Sequence, residues 1–244
     1  AFVGDITPDE ALGKLSGDFL NWKNGYSVKT EKPYVSMKEN PQVYLVEKKG
    51  AVQSSLKIGH LGIKRDNPDF IAVNVLNTII GGYFTSRINK NLREVNGYTY
   101  GARSHFSCYR YSGDFSVTTE VKTEITSDTN REILKELNKI RTKLISKDEL
   151  QNVKNYISGN FPMQLETPNE IASKAINLKL NNLEEDYYNT YIRKVNEVTR
   201  EDIKEAAEKY LHPDKLIFSI AGNSEALKDE MLEFGEVKII EEIF

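Results

Sequence analysis

The chain has 244 residues, of which 39% are apolar and 28% charged, and its formal net charge is −3. This composition is typical of a globular protein with one large or two small domains, and a small negative charge spread along the chain leaves no basic surface for nucleic acid. No apolar run approaches the roughly 20 residues that span a bilayer, so we expect a soluble protein without a membrane span, in the cytoplasm or in the cell envelope or periplasm.

The first part of the chain predicts a strand followed by a helix. Residues Ala1–Val3 are strand-like, and Thr7-Pro8-Asp9-Glu10 combines a helix cap, a proline at the first helical position and a capping box. Because natural chains rarely begin inside an element, we expect a fragment in which residues 1–24 are the tail of an upstream homologous half. The polar residues 25–40 are interpreted as a linker and residues 41–244 as the main domain.

Alternation of apolar and polar residues predicts strands with one buried face. The predicted strands cover residues 42–48, 53–60, a run ending near 110, 114–122 and 216–220. Apolar residues three and four positions apart predict helices elsewhere. Start signals for these helices are found at Asn67-Pro68, Ser146, Thr167 and Thr199. The predicted fold class is α+β, with a mainly antiparallel sheet and helices packed on one face.

A short segment after the first apolar helix carries the candidate functional residues. Gly81-Gly82 stops that helix, Ser86 is placed to cap a short amphipathic helix, and Gly97 stops this second helix before a strand. Arg93 is therefore expected in a last helical turn, and Tyr100 just inside the strand. The glycine between them would let a guanidinium fork and a phenol approach each other and clamp a carbonyl or a carboxylate.

Each member of this pair also has a purely structural interpretation. An arginine in the last turn of a helix is favoured by the helix dipole, and a tyrosine at the start of a strand is common packing. The order of residues around the pair is a more specific signal than the pair alone. Capping and packing select classes of residue, but they do not require this particular order of residues at fixed spacing.

The stretch from Gly81 to Tyr100 resembles the second half of the pitrilysin or insulinase-type zinc peptidases, which include mitochondrial processing peptidase. The residues that match the family pattern are Gly81-Gly82, Ser86-Arg87-Ile88, Leu92-Arg93-Glu94 and Tyr100. The resemblance implies that Arg93 and Tyr100 are catalytic and polarise the scissile carbonyl. It also implies that Gly81, Gly82 and Phe84 bind the substrate, an unfolded peptide held as an added strand.

The zinc-binding motif of these peptidases, His-x-x-Glu-His, is absent from the sequence. The three histidines, His60, His105 and His212, have no second His or Cys close enough in sequence to form a ligand pair, and Cys108 is the only cysteine. We therefore expect no metal in this chain and no hydrolysis by the chain alone. The resemblance implies zinc in a homologous metal-bearing half, either in the same polypeptide or on a separate subunit.

The end of the chain repeats the order of its beginning. An apolar strand, Gly222-Asn223 and a helix over residues 224–234 echo Ala1–Val3, Gly4-Asp5 and the first helix. The separation of the two copies fits a duplicated domain rather than a solenoid repeat. It favours a metal-bearing half in the same polypeptide.

Two functions are predicted. The leading one is the substrate-binding, non-metal half of a two-half zinc metalloendopeptidase, which supplies Arg93 and Tyr100 to the scissile carbonyl. The alternative is a non-catalytic scaffold or binding subunit with the same fold, comparable to the core subunits of a respiratory complex. The presence of both Arg93 and Tyr100 argues against a pure scaffold, which need not keep them.

Overall fold

A computed structural model of the protein describes residues 1–23, 25 and 35–241. Most of the predicted linker at 25–40 therefore lies outside the described residues. The strands within them are β1 (Gln42–Glu47), β2 (Gln53–Leu61), β3 (Ala102–Cys108), β4 (Gly113–Lys122), β5 (Ile217–Gly222) and β6 (Glu236–Ile240). They form one sheet in the order β3-β4-β2-β5-β1-β6.

The sheet is mixed, and most of its pairings are antiparallel. β2 runs antiparallel to β4 and to β5, and β3 runs antiparallel to β4, whereas β1 is parallel to both β5 and β6. The prediction of a mainly antiparallel sheet is thus confirmed. Strand β6 was not predicted, because this short edge strand has no fully buried residue and its charged Glu236 and Lys238 obscure the apolar pattern.

Helices pack on one face of this sheet, as predicted. The helices of the described residues are α1 (Pro8–Phe19), α2 (Phe70–Asn77), α3 (Arg87–Asn89), α4 (Thr126–Thr142), α5 (Lys147–Asn160), α6 (Pro168–Leu180), α7 (Tyr187–Glu197), α8 (Arg200–Tyr210) and α9 (Ser224–Met231). In β2, Leu56 and Ile58 join the core, while Lys57 between them is exposed on the open face. Among the described residues, no helix is both long and apolar enough to cross a membrane.

Most of the predicted helix starts have the expected caps. Complete capping boxes are present at Thr7, Thr167 and Thr199. At Ser146 the box is only half formed, because the Ser146 hydroxyl accepts the Glu149 N–H at 3.0 Å but Glu149 returns no bond. Its carboxylate is engaged elsewhere, by an arginine of α3.

The first residues do not form the strand that was predicted. Ala1–Val3 have no strand partner in the described structure, and a strand is stable only when a neighbour satisfies its backbone hydrogen bonds. Helix α1 is present, as predicted, but none of its residues is buried. Its apolar residues Leu12 and Phe19 are exposed.

Helix α2 begins at Phe70 and not at Asn67-Pro68, where its start was predicted. The Asn67 side chain accepts the Asp69 N–H at 2.8 Å, which holds these residues in a turn before the helix. The helix then widens into a π-helical turn over Thr78–Gly82 and ends there, as Gly81-Gly82 predicted.

Gly81 brings the end of this helix directly against strand β3. A Cβ atom added at Gly81 would lie 2.4 Å from the backbone nitrogen of Ser104, so only glycine fits without a shift of the strand. The contact is reinforced by the buried Ser104 hydroxyl, which donates to Oδ1 of Asn77 at 2.8 Å. The spacing between helix and strand at this point is therefore set by a single small residue.

Replacing Gly81 by Ala should destabilise the fold by about 1–3 kcal/mol, because the added methyl group must displace the β3 backbone. The matched control is Gly159→Ala in α5, where the added Cβ would have no atom within 4 Å beyond its chain neighbours and its own helix backbone. This control should stabilise the protein by about 0.5–1 kcal/mol through helix propensity. Urea unfolding followed by circular dichroism measures both changes, and equal stability of the two variants would contradict the packing role of Gly81.

Candidate functional site

Two buried side chains anchor the helix that follows Gly82. Helix α3 continues as a π-helix over Lys90–Val95, and Ile88 and Leu92 are buried in the core. Ser86 occupies the N-cap position, as predicted, but its hydroxyl makes no capping bond and is buried without a partner among the described residues. Packing, rather than a cap, therefore holds this helix in place.

The helix ends at Gly97, as predicted. Gly97 has a φ of 66°, in the left-handed region that favours glycine, and the next N–H, from Tyr98, donates to the Leu92 carbonyl at 2.7 Å. Arg93 thus lies in the last helical turn. The prediction that Tyr100 lies inside the next strand is wrong, because β3 begins two residues later, at Ala102.

A small turn explains why the strand starts late. The Thr99 hydroxyl accepts the Gly101 N–H at 3.2 Å and donates to the Gly101 carbonyl at 3.0 Å. Thr119 of β4 supports this turn, since its Oγ1 lies 3.1 Å from both Thr99 Oγ1 and the Gly101 carbonyl oxygen. Tyr100, between the two bonded residues, is directed outwards and is 99% exposed.

Arg93 stacks on Phe84 and has no carboxylate partner in the described part of the chain. The central carbon of its guanidinium lies 4.3 Å from the centroid of the Phe84 ring. Such a contact is a cation–π interaction, which leaves the N–H donors at the edge of the guanidinium unused. The fork of Arg93 is therefore held against an aromatic surface and is available to a ligand.

The structure brings Arg93 and Phe84 together, but among the described residues Tyr100 makes no ring contact with Phe84 and no cation–π contact with Arg93. Within the described ranges, the Tyr100 hydroxyl has no hydrogen-bond partner. Both predicted catalytic groups thus present free donors, one a planar cation and the other a neutral phenol. Donors of these two kinds can bind a carbonyl or a carboxylate oxygen.

The two glycines have different surroundings. Gly81 is buried, and its close packing against Ser104 explains why a glycine is needed at this position. Gly82 is half-buried and lines a cleft of about 460 Å³, together with Tyr156 and Tyr191 from the neighbouring helices. Contact of Gly81, Gly82 and Phe84 with a substrate stays a prediction.

An ion pair fixes the site helix on α5. Nε and Nη2 of Arg87 lie 2.6 and 2.7 Å from the two carboxylate oxygens of Glu149, and both side chains are mostly buried. Bidentate pairs of this kind restrict orientation as well as distance. The sequence contained both residues but no signal that joins them, because they lie 62 positions apart.

The family of the chain follows from comparison with known proteins. A family model described as the peptidase M16 inactive domain matches residues 1–157. The chain belongs to this family. The predicted resemblance to the pitrilysin or insulinase-type zinc peptidases is thereby confirmed.

Relatives of this M16 chain are longer than the chain itself. An uncharacterized zinc protease, YmxG, from Bacillus subtilis (strain 168) is 26% identical over 176 residues, which cover 69% of this chain and 43% of the relative. A crystal structure of a peptidase M16 inactive domain from Pseudomonas fluorescens superposes with a TM-score of 0.79 at 26% identity, over 90% of this chain and 52% of the other. This chain therefore spans about half the length of these relatives.

The same fold occurs in a structure of Complex III2 from Candida albicans. A chain of that structure superposes with a TM-score of 0.73 at 17% identity, over 95% of this chain and 57% of the other. At this identity the likeness concerns the fold alone.

The zinc that the family implies does not fit the residues of this chain. The sequence lacks His-x-x-Glu-His, and no group of three or more His, Cys, Asp or Glu side chains in the described structure could hold a metal ion. Both ring nitrogens of the buried His60 are engaged within the protein. Nδ1 lies 2.7 Å from the Leu61 carbonyl oxygen, and Nε2 accepts the His212 N–H at 3.1 Å.

These two bonds require a neutral imidazole at His60. Burial is the main cause that lowers the pKa of His60 from the ordinary 6.5 to about 4, and it outweighs the bond to Leu61, which acts in the opposite direction. Between these two pH values the unfolded chain binds a proton that the folded chain rejects. The contribution of neutral His60 to the free energy of unfolding is therefore complete above pH 6.5. It is lost as the pH falls towards 4, by up to about 3 kcal/mol.

We expect the free energy of unfolding to fall between pH 6.5 and 4, and to fall less steeply in the His60→Gln variant. His105→Gln is the matched control, because His105 is exposed on the open face of β3. Its slope should equal that of the wild type. Urea unfolding at half-unit pH steps measures the slopes, and a wild-type slope in His60→Gln would contradict the role assigned to burial.

Proposed function

We propose that this M16 chain is the substrate-side half of a two-half zinc endopeptidase, in which Arg93 and Tyr100 hold the scissile carbonyl of a bound peptide. This proposal is supported best by the combination of a hydrogen-bonded backbone with functional groups that have no hydrogen-bond partner in the described structure. The turn at Tyr100 is hydrogen-bonded on both sides, yet Tyr100 itself is 99% exposed. A tyrosine kept for packing would bury its ring, so packing does not explain this residue.

Arg93 is suited to bind a carbonyl oxygen. Its planar guanidinium offers several N–H donors in a fixed fork, and no carboxylate among the described residues competes for them. The Phe84 ring covers one face of the guanidinium and limits its motion. Less side-chain entropy is then lost when a ligand binds.

Tyr100 is suited to stabilise the charge that develops on that oxygen. Its hydroxyl donates one hydrogen bond, which becomes stronger as the carbonyl oxygen turns into an oxyanion. Preorganised donors of this type are worth about 3–4 kcal/mol each in other enzymes. This chain would thus supply binding and polarisation, whereas the zinc and the water that attacks would belong to the metal-bearing half.

We also propose that residues 1–24 are the last part of that other half, followed by a linker at 25–40 and the substrate-side domain at 41–244. Helix α9 shows how such a helix is normally covered: Leu227 and Met231, four and eight positions after its cap, are buried, and the helix packs on β1 and β6. The same positions in α1 are Ala11 and Leu15, on a helix with no buried residue. A second sheet of the same type would cover them.

A non-catalytic scaffold or binding subunit is the alternative function. It is favoured by the occurrence of this fold in a chain of Complex III2 from Candida albicans. Under this alternative Arg93 and Tyr100 have no role in any reaction. Substitution of either residue then leaves every hydrolytic rate unchanged.

In the intact two-half enzyme, Tyr100→Phe should lower kcat by about 100-fold while it weakens peptide binding much less, because the lost bond is strongest in the transition state. Arg93→Lys should also be damaging, since an ammonium cannot reproduce the planar fork. Hydrolysis of an unstructured peptide measures both, and thermal melts serve as the folding control. Wild-type rates with unchanged melting would favour the scaffold alternative.

The proposed origin of residues 1–24 is tested by Leu15→Glu. In the present chain this change should leave the melting temperature unaltered, because the Leu15 side chain packs on no core there. Met231→Glu, at the equivalent and fully buried position of α9, should be strongly destabilising. In the two-half protein Leu15→Glu should instead destabilise the metal-bearing half. A large loss of stability from Leu15→Glu in the present chain would contradict the proposal.

A further inference from the structure

We propose that Asn89 is a positioning residue that couples the Arg93 side of the site to the Tyr100 side, an inference that rests on the function proposed for that pair. Asn89 ends helix α3 and is only 4% exposed. Its side-chain amide bridges two separate segments. Nδ2 donates to the Phe84 carbonyl at 2.5 Å, and Oδ1 accepts the Ala102 N–H at 2.9 Å.

On one side, Asn89 controls the surface on which Arg93 rests. Phe84 lies in the irregular connection between Gly82 and α3 and is 62% exposed, so the core does not hold it in place. The bond from Asn89 to the Phe84 carbonyl fixes this backbone instead. Because the Arg93 guanidinium stacks on the Phe84 ring, a shift of Phe84 would move Arg93 with it.

On the other side, Asn89 controls the turn that carries Tyr100. Ala102 is the first residue of β3, and its buried N–H is bonded to Asn89. Gly101, next to Tyr100, is also near this side chain, since an added Cβ would be in van der Waals contact with the Asn89 Oδ1 at 3.7 Å. The turn is thus held between Thr119 of β4 and Asn89 of α3.

The residue type suits this role closely. Asparagine carries a donor and an acceptor at a fixed spacing on a short side chain, whereas aspartate lacks the donor, leucine lacks both, and glutamine reaches one carbon further. Both partners of Asn89 are backbone groups, so the bridge sets main-chain positions and not merely side-chain rotamers. Displacements of about 1 Å in such positioning elements can reduce rates by about 100-fold.

The test uses double-mutant cycles in the intact two-half enzyme, with an unstructured peptide as the substrate. Asn89→Leu, which keeps the size of the side chain, should lower kcat by about 10- to 100-fold with a much smaller change in KM. The loss of kcat in Asn89→Leu should not add to the losses caused by substitution of Arg93 or Tyr100. When combined with Arg93→Lys or with Tyr100→Phe, Asn89→Leu should slow the enzyme by less than about 3-fold further.

Asn130→Leu is the matched control for removal of a buried asparagine. Asn130 lies in α4 and is fully buried. Its Nδ2 is 3.4 Å from Sδ of Met231 in α9, so its side chain contacts an element that carries no residue of the site. This variant should melt at a lower temperature but keep the wild-type kcat in assays well below its melting point. It separates a loss of stability from a loss of positioning.

The outcomes distinguish this inference from the proposed function. Wild-type rates in Arg93→Lys and Tyr100→Phe overturn the proposed function, and the role of Asn89 with it. Slow Arg93 and Tyr100 variants with an unchanged kcat in Asn89→Leu, or with losses that multiply in the double variants, overturn the role of Asn89 alone. If Asn89→Leu does not fold, Asn89→Gln takes its place in the same cycles under the same criteria.

Discussion

The close approach of helix α2 to strand β3 at Gly81 is the constraint on which the candidate site depends. With no side chain at this position, the helix end and the Ser104 backbone are in direct contact, which determines where the chain leaves the core. The following helix is then held by Ile88 and Leu92 in the core and by the Arg87–Glu149 ion pair on α5. Arg93 is therefore carried by a rigid element, although the segment as a whole is short and partly irregular.

Around this rigid element the protein combines a well-bonded backbone with unused functional groups. The turn at Thr99–Gly101 is closed by its own hydrogen bonds, and Asn89 joins it to the connection that carries Phe84. The Arg93 guanidinium stacks on Phe84, but neither its N–H groups nor the Tyr100 hydroxyl has a hydrogen-bond partner in the described structure. Preorganised donors without internal partners are what stabilisation of a developing charge requires, because no protein bond has to break when the ligand arrives.

The proposal that residues 1–24 belong to the metal-bearing half gives a physical reason for the exposed apolar residues of helix α1. Helix α1 has a complete cap and an apolar stripe, but it buries no residue. A capped amphipathic helix gains most of its stability from the surface it covers, so the uncovered stripe supports the proposed partner surface. Helix α9 supplies the comparison, since its corresponding positions are buried on the sheet.

Features that depend on neighbours within a few residues were determined by the sequence itself: the capping boxes at Thr7, Thr167 and Thr199, the stop at Gly97, and Arg93 in the last turn before it. The family was also readable, because its pattern lies within one unbroken stretch. Tertiary structure alone decided the pairing of Glu149 with Arg87 in place of a capping bond, the edge strand β6, the support that Thr119 gives to the turn at Tyr100, and the bridge made by Asn89. These features join residues from different elements or depend on which strand lies beside them, and no local pattern of residues records such contacts before the chain has folded.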